Sequence, residues 1–233
     1  MSNVKNINVV FISGLGVCPT IAVDFLKNIL QDINCICLSY PDSQSILGGT
    51  AQEKLSCIAE ILNKKIPKNS VLVGWSLGGL IASMLMATFP EKYRGLITIC
   101  STPKFVENGN WKGISCDNIY AFEKMAQDDV SLLIDKFVRL ILFPYAGKKD
   151  LNEKLSKLML DHDFMFYFDL LLKADIRNFF SFSLNRSLHF YGDNDAVLPI
   201  TVTENYSSTD NIHIVKGQGI CHFIRIKRLC CLP

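Results

Sequence analysis

The pentapeptide Gly74-Trp75-Ser76-Leu77-Gly78 lies between an apolar run, Ser70–Val73, and a helix-like stretch, Gly79–Phe89. In that context the serine reads as the nucleophile on a strained strand-to-helix turn, with its hydroxyl exposed. The flanking glycines have a steric reason, because at so sharp a turn a side chain at either position would collide with the neighbouring strand or helix. Gly-x-Ser-x-Gly arises by chance in many chains. It is the strand before and the helix after that give Ser76 its chemical reading.

Apolar runs of strand length recur at Ile7–Ser13, Cys35–Tyr40, Ser70–Trp75, Leu96–Ser101, Leu188–Tyr191 and Ile212–Val215. They lack strict alternation, as expected of strands buried on both faces of a parallel sheet. Helical spacing falls between several of them, at Ile21–Gln31, Ala51–Lys64 and Leu80–Phe89, the last closed by Pro90. The alternation predicts an α/β fold with a mostly parallel central sheet flanked by helices. It breaks between Pro103 and about Arg186, where apolar residues follow helical spacing: Phe122 and Met125; Leu132, Leu133, Phe137 and Leu140; Leu151, Leu155 and Leu158; Phe164, Tyr167, Phe168 and Leu171. The expected organisation is a core of residues 1–102 and 186–233 with a helical insertion at 103–185. Above the strand ends where the serine emerges, such an insertion acts as a lid. The alternative for most of these aromatics is ordinary helix core.

With 233 residues, 49% of them hydrophobic, the chain suits one domain with a modest insertion. The 24 basic and 22 acidic residues alternate at short range, so no basic stripe points to nucleic acid. Met1–Asn8 is polar, unlike a signal peptide, and no apolar run approaches the roughly 20 residues needed to span a bilayer, so no membrane association is expected. Nine cysteines, an odd number without secretory context and with Cys35, Cys37 and Cys100 in expected strands, suggest reduced thiols in the cytoplasm. No Cys-x-x-Cys pair occurs, and no metal site is expected.

A serine hydroxyl attacks only when a base removes its proton, and the base needs an acid to hold its tautomer. The acid candidate is Asp195, in the loop after the run Leu188–Tyr191; Asp193 competes, with turn-making beside Gly192 as its other role. The oxyanion needs preorganised donors, typically two backbone N–H groups. One should come from Leu77, directly after the nucleophile, and the other from Leu15 in Ser13-Gly14-Leu15-Gly16 after the first strand. A plain strand-to-helix turn is the alternative for that loop.

These residues, in this order, resemble the α/β-hydrolase family. Within it, Gly74-Trp75-Ser76-Leu77-Gly78-Gly79-Leu80 is similar to the corresponding turn of the pimeloyl-[acyl-carrier protein] methyl ester esterases of biotin synthesis. Ser101-Thr102-Pro103-Lys104-Phe105, Trp111-Lys112-Gly113-Ile114, Phe122 and Lys136-Phe137-Val138-Arg139-Leu140 resemble that family's later stations. The resemblance implies hydrolysis of the methyl ester of pimeloyl-acyl carrier protein to the free acid and methanol, without metal or cofactor. It puts Leu15, Ser76, Leu77, Phe137 and Leu140 at substrate-contacting positions. An acyl carrier protein is the implied partner, met by basic residues such as Arg139, Lys148, Lys149, Lys154 and Lys157, each of which otherwise reads as a solvated surface charge. A monomer is expected. The other readings are a general short-chain carboxylesterase and a catalytically silent binding protein of the same fold.

The family's base lies in a Gly-His-x-Pro-Phe pattern after the last strand, where this chain has Gly219-Ile220-Cys221-His222-Phe223. Either His222 is the base, displaced by two residues, or the reading frame slips near Gly219. In the frame one base earlier, the codons straddling Gly219 to Ile224 can encode His-Leu-Pro-Phe-Tyr. His162, His189 and His213 read as structural or surface residues.

Overall fold

The structure, a computed structural model, describes residues 7–19, 34–144, 163–180, 186–207 and 211–219. Its centre is one sheet of six strands, β1 (Asn8–Ile12), β2 (Asn34–Leu38), β3 (Ser70–Trp75), β4 (Tyr93–Ile99), β5 (Ser187–Gly192) and β6 (Ile212–Val215). All neighbouring pairs are parallel, in the order β2-β1-β3-β4-β5-β6. The chain starts at β1, steps outward to β2, and then returns past β1 to β3. That reversal leaves a crevice at the carboxyl ends of β1 and β3, where open α/β sheets bind their ligands.

The helices follow from their apolar faces. In α1 (Ala51–Asn63), Leu55, Ile58, Ala59 and Leu62 make one buried stripe at helical spacing, and Thr50 and Glu53 close a reciprocal capping box at its start. The next helix, α2 (Leu77–Thr88), is buried over Leu77 to Met86 on every side, a core helix with no polar face to declare it. It begins three residues before the expected Leu80, because Leu77, Gly78 and Gly79 are already helical. Similarly, β4 begins at Tyr93 rather than Leu96: Tyr93 is buried and its hydroxyl donates to Asn63 Oδ1 at 2.7 Å, which no apolar run announces.

Between β4 and β5 the described chain is helical, with α3 (Cys116–Asp128), α4 (Val130–Leu142), α5 (Phe164–Lys173) and α6 (Arg177–Phe180). Phe122, Leu133, Phe137, Phe164, Tyr167, Phe168 and Leu171 are buried as the spacing predicts. Leu132 is not. It is 55% exposed, because on α4 its neighbour Leu133 occupies the inward face. The expected helix at Ile21–Gln31 and the apolar positions Leu151, Leu155 and Leu158 lie outside the described residues. Among the described residues Cys18, Cys35, Cys37, Cys57, Cys100 and Cys116 form no disulfide with one another, and no helix is long and apolar enough to cross a membrane.

Candidate active site

Ser76 joins β3 to α2 with φ 53° and ψ −122°, a conformation that costs a non-glycine residue roughly 1–3 kcal/mol. The surroundings over-determine it. Its N–H donates to the Ile99 carbonyl at 2.8 Å, and its own carbonyl accepts from the amides of Gly79 at 2.9 Å and Leu80 at 3.2 Å. A Cβ on Gly74 would strike the Gly78 carbonyl and lie 2.5 Å from the Gly79 Cα, while one on Gly78 would strike the carbonyls of Ile12 and Ser13. The glycines thus let the helix start sit directly against the ends of β1 and β3. One expectation needs correcting: Ser76 is only 3% exposed, since this close packing buries its backbone and Cβ, and the hydroxyl does not stand on the open surface.

The loop after β1 is the turn Ser13-Gly14-Leu15-Gly16, closed by the Val17 N–H on the Gly14 carbonyl at 3.2 Å, with Gly16 at φ 68°. A positive φ there favours glycine. Neither the Leu15 nor the Leu77 amide has a hydrogen-bond acceptor among the described residues. Leu77 is the first residue of α2, so its N–H is one of the helix's unspent donors and sits at the positive end of the helix dipole. Two amides free to receive negative charge therefore flank the crevice that contains Ser76.

Asp195 lies in the loop after β5, two strands from Ser76, or about 10 Å at the usual strand spacing. A carboxylate there cannot touch the serine directly. Its Oδ1 accepts from the Val197 N–H at 2.8 Å and the Leu198 N–H at 2.9 Å, while Oδ2 is buried without a hydrogen-bond partner among the described residues. Burial pushes its pKa up to about 6, against the pull of the Leu198 and Val197 amides and of the Cys100 thiol, a weak donor beside it. Asp193 is occupied otherwise: its Oδ1 takes the amides of Gly217 at 2.6 Å and Gln218 at 3.3 Å, tying the β5 loop to the turn after β6.

No described histidine is placed as the base. His189 is fully buried, its Nδ1 2.7 Å from Thr98 Oγ1 and its Nε2 2.9 Å from Ser187 Oγ; His213 is exposed on β6, stacked on Phe190 at 5.0 Å. His162 and His222 lie outside the described residues, as do Lys148, Lys149, Lys154 and Lys157; Arg139 lies in the last turn of α4. Gly219 packs against the Phe143 carbonyl, and a Cβ on it would lie 3.4 Å from the carbonyl of Asn194, the residue before Asp195.

Phe137 is buried against Phe164, with ring centroids 6.4 Å apart, and Leu140 is half-buried on the core. Phe164 in turn lines a cavity of about 260 Å³ whose other described walls include Ser13, Leu15, Tyr40, Asp163 and Tyr167. Sequence reading missed two features here. Cys100, at φ 45° after β4, looked like any buried strand cysteine, and the cavity walls come from three segments far apart in the chain.

Comparison with known proteins accords with this geometry. Residues 55–217 match the family model described as the alpha/beta hydrolase fold. Among curated proteins, the chain is 32% identical over 170 residues to a pimeloyl-[acyl-carrier protein] methyl ester esterase from Wigglesworthia glossinidia brevipalpis, covering 70% of this chain and 65% of that protein. A protein of the same name from Vibrio parahaemolyticus is 30% identical over 162 residues, 66% of this chain and 63% of its own length. The matched region therefore spans somewhat less than two thirds of these relatives. Solved structures of an esterase from Exiguobacterium antarcticum and a hydrolase from Oleispira antarctica superpose with TM-score 0.75 each, at 19% and 14% identity, over 97% and 95% of this chain and 90% and 87% of theirs. By its strand order, its strained serine turn and the match over residues 55–217, the chain belongs to the α/β-hydrolase fold family.

Proposed function

We propose that the chain is a serine carboxylesterase that hydrolyses the methyl ester of pimeloyl-acyl carrier protein, releasing methanol, as its curated relatives are named to do. The observation that carries the hydrolytic part is the strained Ser76 beside two unspent amides, Leu15 and Leu77. Ser76 Oγ attacks the ester carbonyl while His222, as the base, takes its proton. The carbonyl oxygen gains the negative charge and accepts from the Leu15 and Leu77 amides. Asp195 Oδ2 receives the imidazole N–H and supports the imidazolium, which then protonates methoxide as the carbon–oxygen bond breaks. Water, deprotonated by the same imidazole, attacks the acyl-serine and frees the acid and Ser76.

In this reading, residues 103–185 form a lid over the site, with Phe137 and Leu140 facing the acyl chain, and Arg139 with its neighbouring lysines meets the acidic carrier protein. No metal or cofactor takes part in these steps.

Labelling with a fluorophosphonate, in wild type and in Ser76→Ala, tests the nucleophile. The wild type should be labelled once and the variant not at all, with loss of about 10⁶ in kcat on an aryl ester; labelling that persists refutes the assignment. Ester turnover that survives His222→Ala excludes His222. Rescue of a biotin-requiring strain that lacks its own methyl esterase separates the carrier-linked substrate from short esters in general.

A further inference from the structure

β4 separates the strand that ends at Ser76 from the strand whose loop carries Asp195, and the residues that leave β4 hold both sides. The Ile99 carbonyl takes the Ser76 N–H at 2.8 Å, and the Cys100 N–H donates to the Phe190 carbonyl of β5 at 2.7 Å. Cys100, at φ 45°, sets its thiol beside the Asp195 carboxylate. One step further, the Ser101 carbonyl accepts from the Tyr191 hydroxyl at 2.7 Å. That hydroxyl lies 2.9 Å from the Tyr206 hydroxyl, itself 3.4 Å from Thr102 Oγ1. Tyr191 stands just before the acid loop, and Tyr206 follows the 3₁₀ turn, Ile200–Asn205, that ends it. The paired hydroxyls therefore close the loop, at both its ends, onto Ser101 and Thr102.

Tyr206 also meets the segment between β4 and β5. Trp111 stands on a tight turn in which Asn108 and Trp111 exchange both backbone hydrogen bonds, at 3.1 and 3.0 Å, and its ring packs edge-on to Tyr206 with centroids 6.3 Å apart. Beside it, Asn205 accepts from the Lys112 N–H and donates to the Lys112 carbonyl, each at 2.8 Å. The same indole bears the Arg177 guanidinium 5.3 Å from its ring centroid, and Arg177 grips Asp175 with two hydrogen bonds of 2.8 and 2.7 Å. Asp175 also pairs with Lys104 at 3.3 Å, and the Trp111 Nε1–H donates to the Lys104 carbonyl at 2.9 Å. Residues 103–114, which leave β4, and residues 175–177, which return toward β5, are thus fastened to one another and to the end of the acid loop.

Proton transfer between a serine, a base and an acid tolerates little error, and a misplacement of about 1 Å costs up to about a hundredfold in rate. The Val197 and Leu198 amides fix the Asp195 carboxylate within its own loop, and Asp193 ties that loop outward, to the turn after β6. The contacts of Tyr206, with Trp111 and Asn205 behind it, pull the other way, toward the residues after β4 and so toward Ser76. Resting on the ester-hydrolase reading above, we infer that Trp111, Asn205 and Tyr206 are positioning residues of the reaction: they hold the Asp195 loop at its working distance from Ser76 by pinning it to the residues that follow β4.

The test uses the full chain and an aryl ester, with kcat expressed per serine titrated to completion by a fluorophosphonate, so that a smaller folded fraction leaves it unmoved. Trp111→Ala should lower this kcat by about thirtyfold with KM within about twofold, the pattern of an interaction felt in the transition state. Trp111→Phe, which keeps a ring against Tyr206, should restore it to within about threefold of wild type, and Tyr206→Phe, which removes the hydroxyl alone, should cost about threefold. A kcat per titrated serine that Trp111→Ala leaves within about twofold of wild type, or a change confined to KM, overturns the proposal. Should the wild type turn over no ester, the hydrolase reading fails by itself, and the pinning of the loop is judged by amide hydrogen exchange. The Val197 and Leu198 amides, both on Asp195 Oδ1, should then exchange at least about tenfold faster in Trp111→Ala than in wild type, and smaller differences overturn it. If circular dichroism shows that Trp111→Ala does not fold, Asn205→Ala, which leaves the indole in place and removes both bonds to Lys112, takes its place in both assays with an expected loss of about fivefold; a loss below about twofold overturns the proposal.

Discussion

At the β1–β3 end of the site, Gly74, Gly78 and Gly79 leave no room for a Cβ, and the serine between them is held by steric closure. At the β5–β6 end, Asp195 is held by two amides on one oxygen while the other oxygen is buried with no hydrogen-bond partner among the described residues. The first arrangement stores backbone strain and the second stores desolvation. A nucleophile must be aimed, which rigid packing achieves at any charge. An acid that stabilises an imidazolium must instead be ready to pair with a charge that appears only during the reaction, so it is kept under-solvated until then.

The largest effect should come from Asp195→Asn, with a loss of about 10⁴ in kcat/KM on an aryl ester while serine labelling by a fluorophosphonate slows less. Equal activity of the variant would break the contrast at its acid end. Gly78→Ala should cost stability instead, about 3 kcal/mol or more in urea unfolding, because its methyl group lands on the Ile12 and Ser13 carbonyls. A loss below about 1 kcal/mol would show that the helix start can back away from β1.

The acid end predicts a pH signature. An ordinary carboxyl near 3.8 raised to about 6 leaves the folded chain binding more protons than the unfolded chain between those values, so its contribution to stability falls as pH rises through that window. The difference of about two units corresponds to roughly 3 kcal/mol at pH 7.5, less whatever an imidazolium partner returns. Asp195→Asn should thus be more stable than wild type by up to that amount at pH 7.5 and equal to it near pH 3.5. Urea titrations at both values check this, and a pH-independent difference would remove the desolvation account. Activity should also fall below about pH 6 as Asp195 gains its proton. Smallest of all, Thr50→Ala removes the capping box of α1, far from either end; it should cost about 1 kcal/mol and leave kcat/KM unchanged.

Much of the frame was legible. Ser70–Trp75 and Ile212–Val215 are strands at their expected bounds, since their apolar runs are short and continuous. The start of α2 was not, because glycine in sequence signals flexibility while here it serves close approach. The same limit hid the cavity: Ser13, Tyr40 and Asp163 carry no common pattern, and only the return of α5 over β1 and β2 puts them on one wall.

By itself the sequence determined the parallel sheet and the serine turn, because apolar runs, glycines and turn residues act through neighbours a few positions away. Tertiary structure decided which amides and which Asp195 oxygen have no partner among the described residues, and that Ser76 lies beneath the surface. Those properties depend on desolvation and on contacts between strands that the chain brings together only when it folds.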